Sequence, residues 1–204
     1  MNPLNSVKGT ITAGFVLAIL ILLAIGDNHI PAPMPYNAIV IWLHVFAGII
    51  WIGLLYYFNF VQVPALADAI ADEGGPGGAG ITKYVAPRAL FWFRWGAVFT
   101  WLTGAIFLMN RELLGDTFML GMADEPMNVY AMTIGIGAWL GTIMLFNVWV
   151  LIWPNQKKVL GIVEASADEI AAAKKTAMMA SRTNTMLSIP LIMSMVGAGH
   201  GFFM

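Results

Sequence analysis

The chain has 204 residues, of which 59% are hydrophobic and only 10% charged, with a formal net charge of −1 and no Cys. A soluble domain carries about 25% charged residues, so this composition belongs to a membrane protein. The charge balance gives no footing for a nucleic-acid partner, and without Cys there are no disulfides, no thiolate metal sites and no haem attached through a Cys-x-x-Cys-His motif.

A membrane-spanning helix needs about 20 mostly apolar residues. Five stretches meet or approach that length: 10–26, 38–63, 88–109, 127–153 and 186–203. The expected fold is all-α, a polytopic bundle of five transmembrane helices forming one domain over residues 1–204. The first stretch is the shortest and follows Lys8, as a signal peptide would. It is read here as a retained span. The second carries His44 within Trp42-Leu43-His44-Val45-Phe46-Ala47-Gly48-Ile49-Ile50-Trp51-Ile52-Gly53. A Gly-rich break, Gly74-Gly75-Pro76-Gly77-Gly78-Ala79-Gly80, separates it from the third, which opens on Arg88 and holds Phe91-Trp92-Phe93-Arg94-Trp95. After the fourth, Ser166-Ala167-Asp168-Glu169 forms a capping-box pattern that starts a surface helix over about 166–182. Pro190 is expected to kink the fifth span near its start. No internal repeat and no separate soluble domain is visible.

Lys and Arg set the orientation. Lys8 precedes the first span, Lys83 and Arg88 lie between the second and third, and Lys157, Lys158, Lys174, Lys175 and Arg182 lie between the fourth and fifth. The alternate loops hold only Arg111, beside Glu112, Asp116, Asp124 and Glu125. The N-terminus is therefore expected in the cytoplasm and the C-terminus outside, in a multi-pass protein of a bacterial inner membrane.

An imidazole in the bilayer is a functional-site candidate by default. His44 lies six residues past Ala38, about 9 Å below the outer boundary at 1.5 Å per residue. His200 lies fourteen residues past Met186, about 21 Å up a core of about 30 Å. The two rings thus reach a similar depth from opposite chain directions, as axial ligands of one haem b would. Gly48 sits one turn from His44, and Gly197, Gly199 and Gly201 surround His200, leaving room for a macrocycle. A single His–haem link, a Zn or Cu site that includes His29, and purely structural His residues remain as alternatives. Trp51, on the seam below His44, is a candidate cofactor contact.

A second group lies towards the cytoplasmic face. Gln62 is eighteen residues past His44, five full helical turns, and so is placed on the His44 face. Asn59 is nearby on the same wheel, and Arg94 and Asn147 each lie about two turns from the inner boundary. One reading is a pocket for a small anionic or amide-rich ligand lined by Asn59, Gln62, Arg94 and Asn147. The other is snorkelling Arg side chains and helix-end hydrogen bonds.

The Trp42–Gly53 string resembles the first-helix signature of the membrane domain of the bacterial urate hydroxylase (PuuD) family, the cytochrome-c-linked urate oxidases. Leu140-Gly141-Thr142-Ile143-Met144-Leu145-Phe146-Asn147-Val148-Trp149, followed by Ile152-Trp153-Pro154-Asn155-Gln156-Lys157-Lys158, is the most specific match. Asn184-Thr185-Met186-Leu187-Ser188-Ile189-Pro190 fits the start of that family's last helix, and Phe91–Trp95 and Trp101-Leu102-Thr103-Gly104 are also similar. The His44 motif further looks like that of small haem-associated membrane proteins such as the protoporphyrinogen oxidase of the HemJ type. The family's membrane domain is longer, carries more His and is followed by a cytochrome c domain. Thr183 stands here where the family has a His, and no haem-c motif is present in this sequence. The resemblance implies a urate-oxidase-like membrane oxidoreductase that binds one haem b near the outer face through His44 and His200. It would exchange electrons with a separate cytochrome or respiratory complex. The rival is a cofactor-free structural or assembly subunit of a larger membrane complex.

Overall fold

A computed structural model of the chain describes residues 2–29, 36–123 and 125–201. Every regular element among them is helical. The chain divides into two units, residues 1–39 and 40–204.

The first unit holds α1 (Val7–His29) behind a short 3-10 turn, Pro3–Asn5. Ser6 starts α1, its Oγ accepting from the Gly9 N–H at 3.0 Å. The α1 helix carries through His29, whose side chain lies outside the described residues.

The remaining helices are α2 (Tyr36–Tyr57), α3 (Val63–Ala71), α4 (Ala86–Asn110), α5 (Leu114–Phe118), α6 (Val129–Phe146), α7 (Trp153–Val159) and α8 (Ala167–His200). Three π-helical turns join them into longer rods. Phe58–Gln62 links α2 to α3, Ile81–Val85 leads into α4, and Asn147–Ile152 links α6 to α7. Each is followed by a proline at the second position of the next α-helix: Pro64, Pro87 and Pro154. Proline has no N–H to give and its ring crowds the carbonyl four residues back. A turn widened to i→i+5 pairing relieves both problems without ending the rod.

Four helical stretches are long and apolar enough to cross a membrane: Val7–Ala24, Tyr36–Ala71, Ile81–Asn110 and Val129–Val159. They account for the first four expected spans. Their outer faces expose large apolar side chains such as Ile49, Phe60, Phe99, Ile143 and Val150. Such a surface suits a lipid bilayer.

The fifth expected span differs from its sequence reading. The surface helix expected over 166–182 and the span over 186–203 are one continuous helix, α8, which runs through Pro190. A buried stripe explains the continuity. Ala173, Ala177, Ala180, Asn184, Ser188 and Leu191 recur at three- and four-residue steps through the expected break. They lay one small-residue face against α6, α7 and the π turn between them. The polar residues in that stripe keep α8 outside the four most apolar helices.

The capping box is formed as expected. Ser166 Oγ accepts from the Glu169 N–H and Glu169 Oε2 accepts from the Ser166 N–H at 2.8 Å. That backbone hydrogen bond, followed by the Ser166 side chain and the Lys158 ammonium 3.6 Å away, holds the Glu169 carboxyl below the usual range. A lowered acid pKa contributes stability above the ordinary glutamate value, and this is lost as pH falls through the lowered one. The protection of the Ile170 amide, relative to its intrinsic exchange rate at each pH, is therefore expected to fall only in acid, and in Glu169→Gln to lose that pH dependence.

The α6–α8 contact is polar at both ends. Towards the C-terminal end of α8, the fully buried Ser194 Oγ accepts from the Gly137 N–H at 2.9 Å and donates to the Thr133 carbonyl. These are the two groups of one i→i−4 rung of α6. Ser194→Ala is expected to lower stability by about 1–2 kcal/mol, read from thermal unfolding in micelles. Nearer the middle of α8, Asn147 Nδ2 donates to Asn184 Oδ1 at 2.8 Å, and Asn184 Nδ2 donates to the Met144 carbonyl at 3.0 Å. The α2 rod is tied to α8 by Tyr56 to Ser188 at 2.9 Å and by Asn59 Nδ2 to Ser181 Oγ at 2.8 Å. Between these bonds lies the apolar core of Trp51, Leu55, Phe93, Met144 and Val148.

Candidate functional site

Along α4, Gly96, Thr100 and Gly104 recur every four residues and share one face. Each meets α2. A Cβ at Gly96 would lie 3.2 Å from the Trp51 backbone nitrogen, and one at Gly48 would lie 3.8 Å from Thr100 Cγ2. A Cβ at Gly104 would lie 3.0 Å from His44 Cε1 and 3.1 Å from Nδ1. Small residues on this seam let the helices close, and the bare face of Gly104 is the floor on which the imidazole rests.

His44 Nδ1 is 2.8 Å from the Thr100 carbonyl oxygen. A carbonyl only accepts, so Nδ1 carries the proton and donates. Nε2 is then the nitrogen with the free lone pair in the neutral ring. This backbone bond orients the ring as well as choosing its tautomer, the service a metal-binding His commonly receives from its neighbours.

Beside His44 lies a cavity of about 510 Å³. Its wall takes Gly48, Trp51 and Tyr56 from α2, Thr100, Gly104 and Leu108 from α4, and further residues from α5, α6 and α8. Apart from the His44 ring and a few hydroxyls it is apolar. Five glycines belong to the wall: Gly48, Gly53, Gly104, Gly137 and Gly141. A Cβ at Gly137 would come within 2.7 Å of Met195 Cε. Trp51 is almost wholly buried, and its Nε1–H has no acceptor among the described residues. The volume falls within the range of about 300–1,000 Å³ typical of small-molecule and cofactor sites.

His44, Gly48 and Trp51 therefore share one cavity wall. His200 is not part of it. Its ring is exposed, with Nδ1 2.9 Å from the carbonyl of Val196 one turn back, and Val196 is the last α8 residue to reach the cavity. The depth match of His44 and His200 holds along the chain but does not bring the second ring into the wall. Among the described residues, no three His, Cys, Asp or Glu side chains converge to hold a metal ion.

The inner polar residues separate into two kinds. Asn59 and Asn147 are committed to bonds between helices, Asn59 to Ser181 and Asn147 to Asn184. Gln62 is half-buried and Arg94 is buried, and each has buried side-chain atoms that lack partners among the described residues. Gln62 does not reach the cavity wall that holds His44. It lies in the Phe58–Gln62 π turn, which adds a residue to the helical count and spoils the five-turn alignment.

Sequence reasoning passed over Thr100, Gly104, Gly137 and Met195. The repeat of small residues at 96, 100 and 104 was the readable signal for the first two. Nothing local marks Gly137 and Met195, which meet only through tertiary packing.

The sequence model of the family described as urate oxidase N-terminal matches residues 111–204. The match runs from the end of α4 through α8 and includes the motifs at Leu140–Trp149, Ile152–Lys158 and Asn184–Pro190. The matched residues thus supply the α6 and α8 walls of the cavity, while His44, Thr100 and Gly104 precede them. No curated protein and no solved structure matches the chain.

Proposed function

We propose that the chain is a membrane redox protein of the urate-oxidase-related type, holding one haem b in the cavity beside His44. The observation that carries this reading is the His44–Thr100 bond, which engages Nδ1 and leaves Nε2 as the remaining ring nitrogen of an imidazole in the wall of a cavity of about 510 Å³. The glycine-lined wall and the unsatisfied Nε1–H of Trp51 also fit a large, flat ligand with acceptor groups. His44 would hold the iron as a single imidazole ligand, and His200 would stay outside the site. When bound, the group would supply one-electron chemistry. The protein's part would be to orient the imidazole, exclude water and fix the ring's edge.

In this reading the chain crosses a bacterial inner membrane five times, with α8 providing the last crossing and the N-terminus in the cytoplasm. Its kinship with urate oxidase N-terminal regions supports an oxidoreductase that passes electrons to or from a separate cytochrome or respiratory complex. Titrating haem into pigment-free protein is expected to quench tryptophan fluorescence, through Trp51, with saturation at one haem per chain. A linear, non-saturating response would remove the proposal in favour of a cofactor-free subunit.

Gly104→Val tests the floor of the site without touching a ligand atom. A Cβ already 3.0 Å from His44 Cε1 forces the ring off the Thr100 carbonyl, and the γ-methyls of Val add to the push. Haem affinity is expected to fall by tenfold or more, about 1.4 kcal/mol or above. Equal affinity in Gly104→Val and wild type would show that ring placement does not matter.

A further inference from the structure

We propose that Arg94 is the anchor of a binding site for an oxyanion of the phosphate class, separate from the cavity beside His44. Arg94 sits eight residues into α4 from Ala86, about 12 Å along the helix. It is only 8% exposed. Among the described residues, its Nε and Nη1 have no hydrogen-bond partner. No carboxylate comes within ion-pair distance of it, since Lys158–Glu169 is the one ion pair found there. A buried guanidinium left this way carries a large uncompensated cost, because both its charge and its donors have lost water.

The surroundings point to an anion rather than to snorkelling. The Trp153 ring lies 3.3 Å from Arg94 Cζ, and Lys157 Nζ lies 5.9 Å from the same ring. Two cations thus approach one indole, and cation–π attraction at such a site does not neutralise either of them. Trp149, whose ring centre is 5.9 Å from Arg94 Cζ, adds a buried Nε1–H that also lacks an acceptor. Arg94 Nε, Arg94 Nη1 and Trp149 Nε1 are all donors, and no acceptor among the described residues answers them. An oxyanion answers all three and cancels the charge, and the planar guanidinium suits phosphate oxygens.

The π turn Asn147–Ile152 helps to build the site. It re-phases the helix just where Trp149 and Trp153 must both reach Arg94. A phosphate could come from solution or from a lipid headgroup, so the test keeps the two sources apart. The full chain is purified in dodecyl maltoside, which contains no phosphate. Melting temperature and native mass are then followed with inorganic phosphate at constant ionic strength, or with added phosphatidylglycerol.

A rise in melting temperature of several degrees with a one-to-one adduct is expected in at least one arm. A response to inorganic phosphate alone assigns a soluble ligand, and a response to the lipid alone assigns a headgroup. Arg94→Gln should lose the response, and Arg94→Lys should weaken apparent affinity by tenfold or more because the fork is gone. If Arg94→Gln does not fold, Trp149→Phe and Lys157→Gln serve instead, each weakening affinity several-fold. No response in either arm, or equal responses in wild type and these variants, overturns the proposal.

Discussion

His44→Ala is expected to strip the purified protein of haem while leaving the helical bundle assembled. The side chain sits at the cavity wall, and its Nδ1 bonds to the Thr100 carbonyl at 2.8 Å, with Thr103 Oγ1 at 3.4 Å. That carbonyl belongs to the α4 backbone, so the variant leaves no helix unpaired. What goes is the one imidazole among the described residues of the cavity wall. Haem content is therefore expected to drop by at least an order of magnitude, with the circular dichroism of the helices unchanged. His200→Ala, by contrast, should retain the pigment, because its ring is exposed and bonds only to the turn behind it. Full haem retention in His44→Ala, or equal loss in His200→Ala, would show that the cavity has been assigned the wrong ligand.

Asn184→Ala carries the largest expected cost in stability. Asn184 is fully buried and bridges two points of the neighbouring rod: it accepts from Asn147 Nδ2 and donates to the Met144 carbonyl. Removing it orphans the buried Asn147 side-chain amide, at about 1–3 kcal/mol, while the Met144 carbonyl keeps the Asn147 backbone N–H and loses only its second donor. Bonds between membrane helices are weaker than this when the partners find substitutes, about 0.6–2 kcal/mol each. A total loss of about 2–4 kcal/mol follows. It should appear as a lower midpoint in unfolding by a denaturing detergent, with early release of α8. A change under about 0.5 kcal/mol, within the range of ordinary surface substitutions, would mean that small-residue packing alone holds α8.

How far the sequence reaches can be seen at particular residues. The membrane class, the all-helical fold and the first four spans follow from apolar length, because each rod satisfies its own backbone in lipid. The cap at Ser166 was legible because its chemistry is local. The unity of α8 was harder to read, since Lys174, Lys175 and Arg182 read as a charged loop surface while the buried stripe passes through the same stretch on another face. Hydropathy averages the two faces and loses the stripe.

At the site, His44 stood out because an imidazole is costly in lipid. Its acceptor was invisible, being a backbone carbonyl on another helix. The pairing with His200 rested on depth alone, and depth says nothing about the direction a ring faces around its helix. Gln62 was assigned to the His44 face by counting α turns, and the π turn at Phe58–Gln62 changed the count. Its cue, Pro64 just beyond, was in the sequence. Asn147 could be read as a ligand group or, with more weight, as part of a helix-end hydrogen bond, and its partner Asn184 ties it to a helix-to-helix bond.

The most direct test of the central proposal is a reduced-minus-oxidised visible spectrum of the full chain purified natively from haem-replete cells. The account predicts a b-type haem spectrum at one haem per chain. A protein that is folded, pure and colourless in both redox states would contradict it.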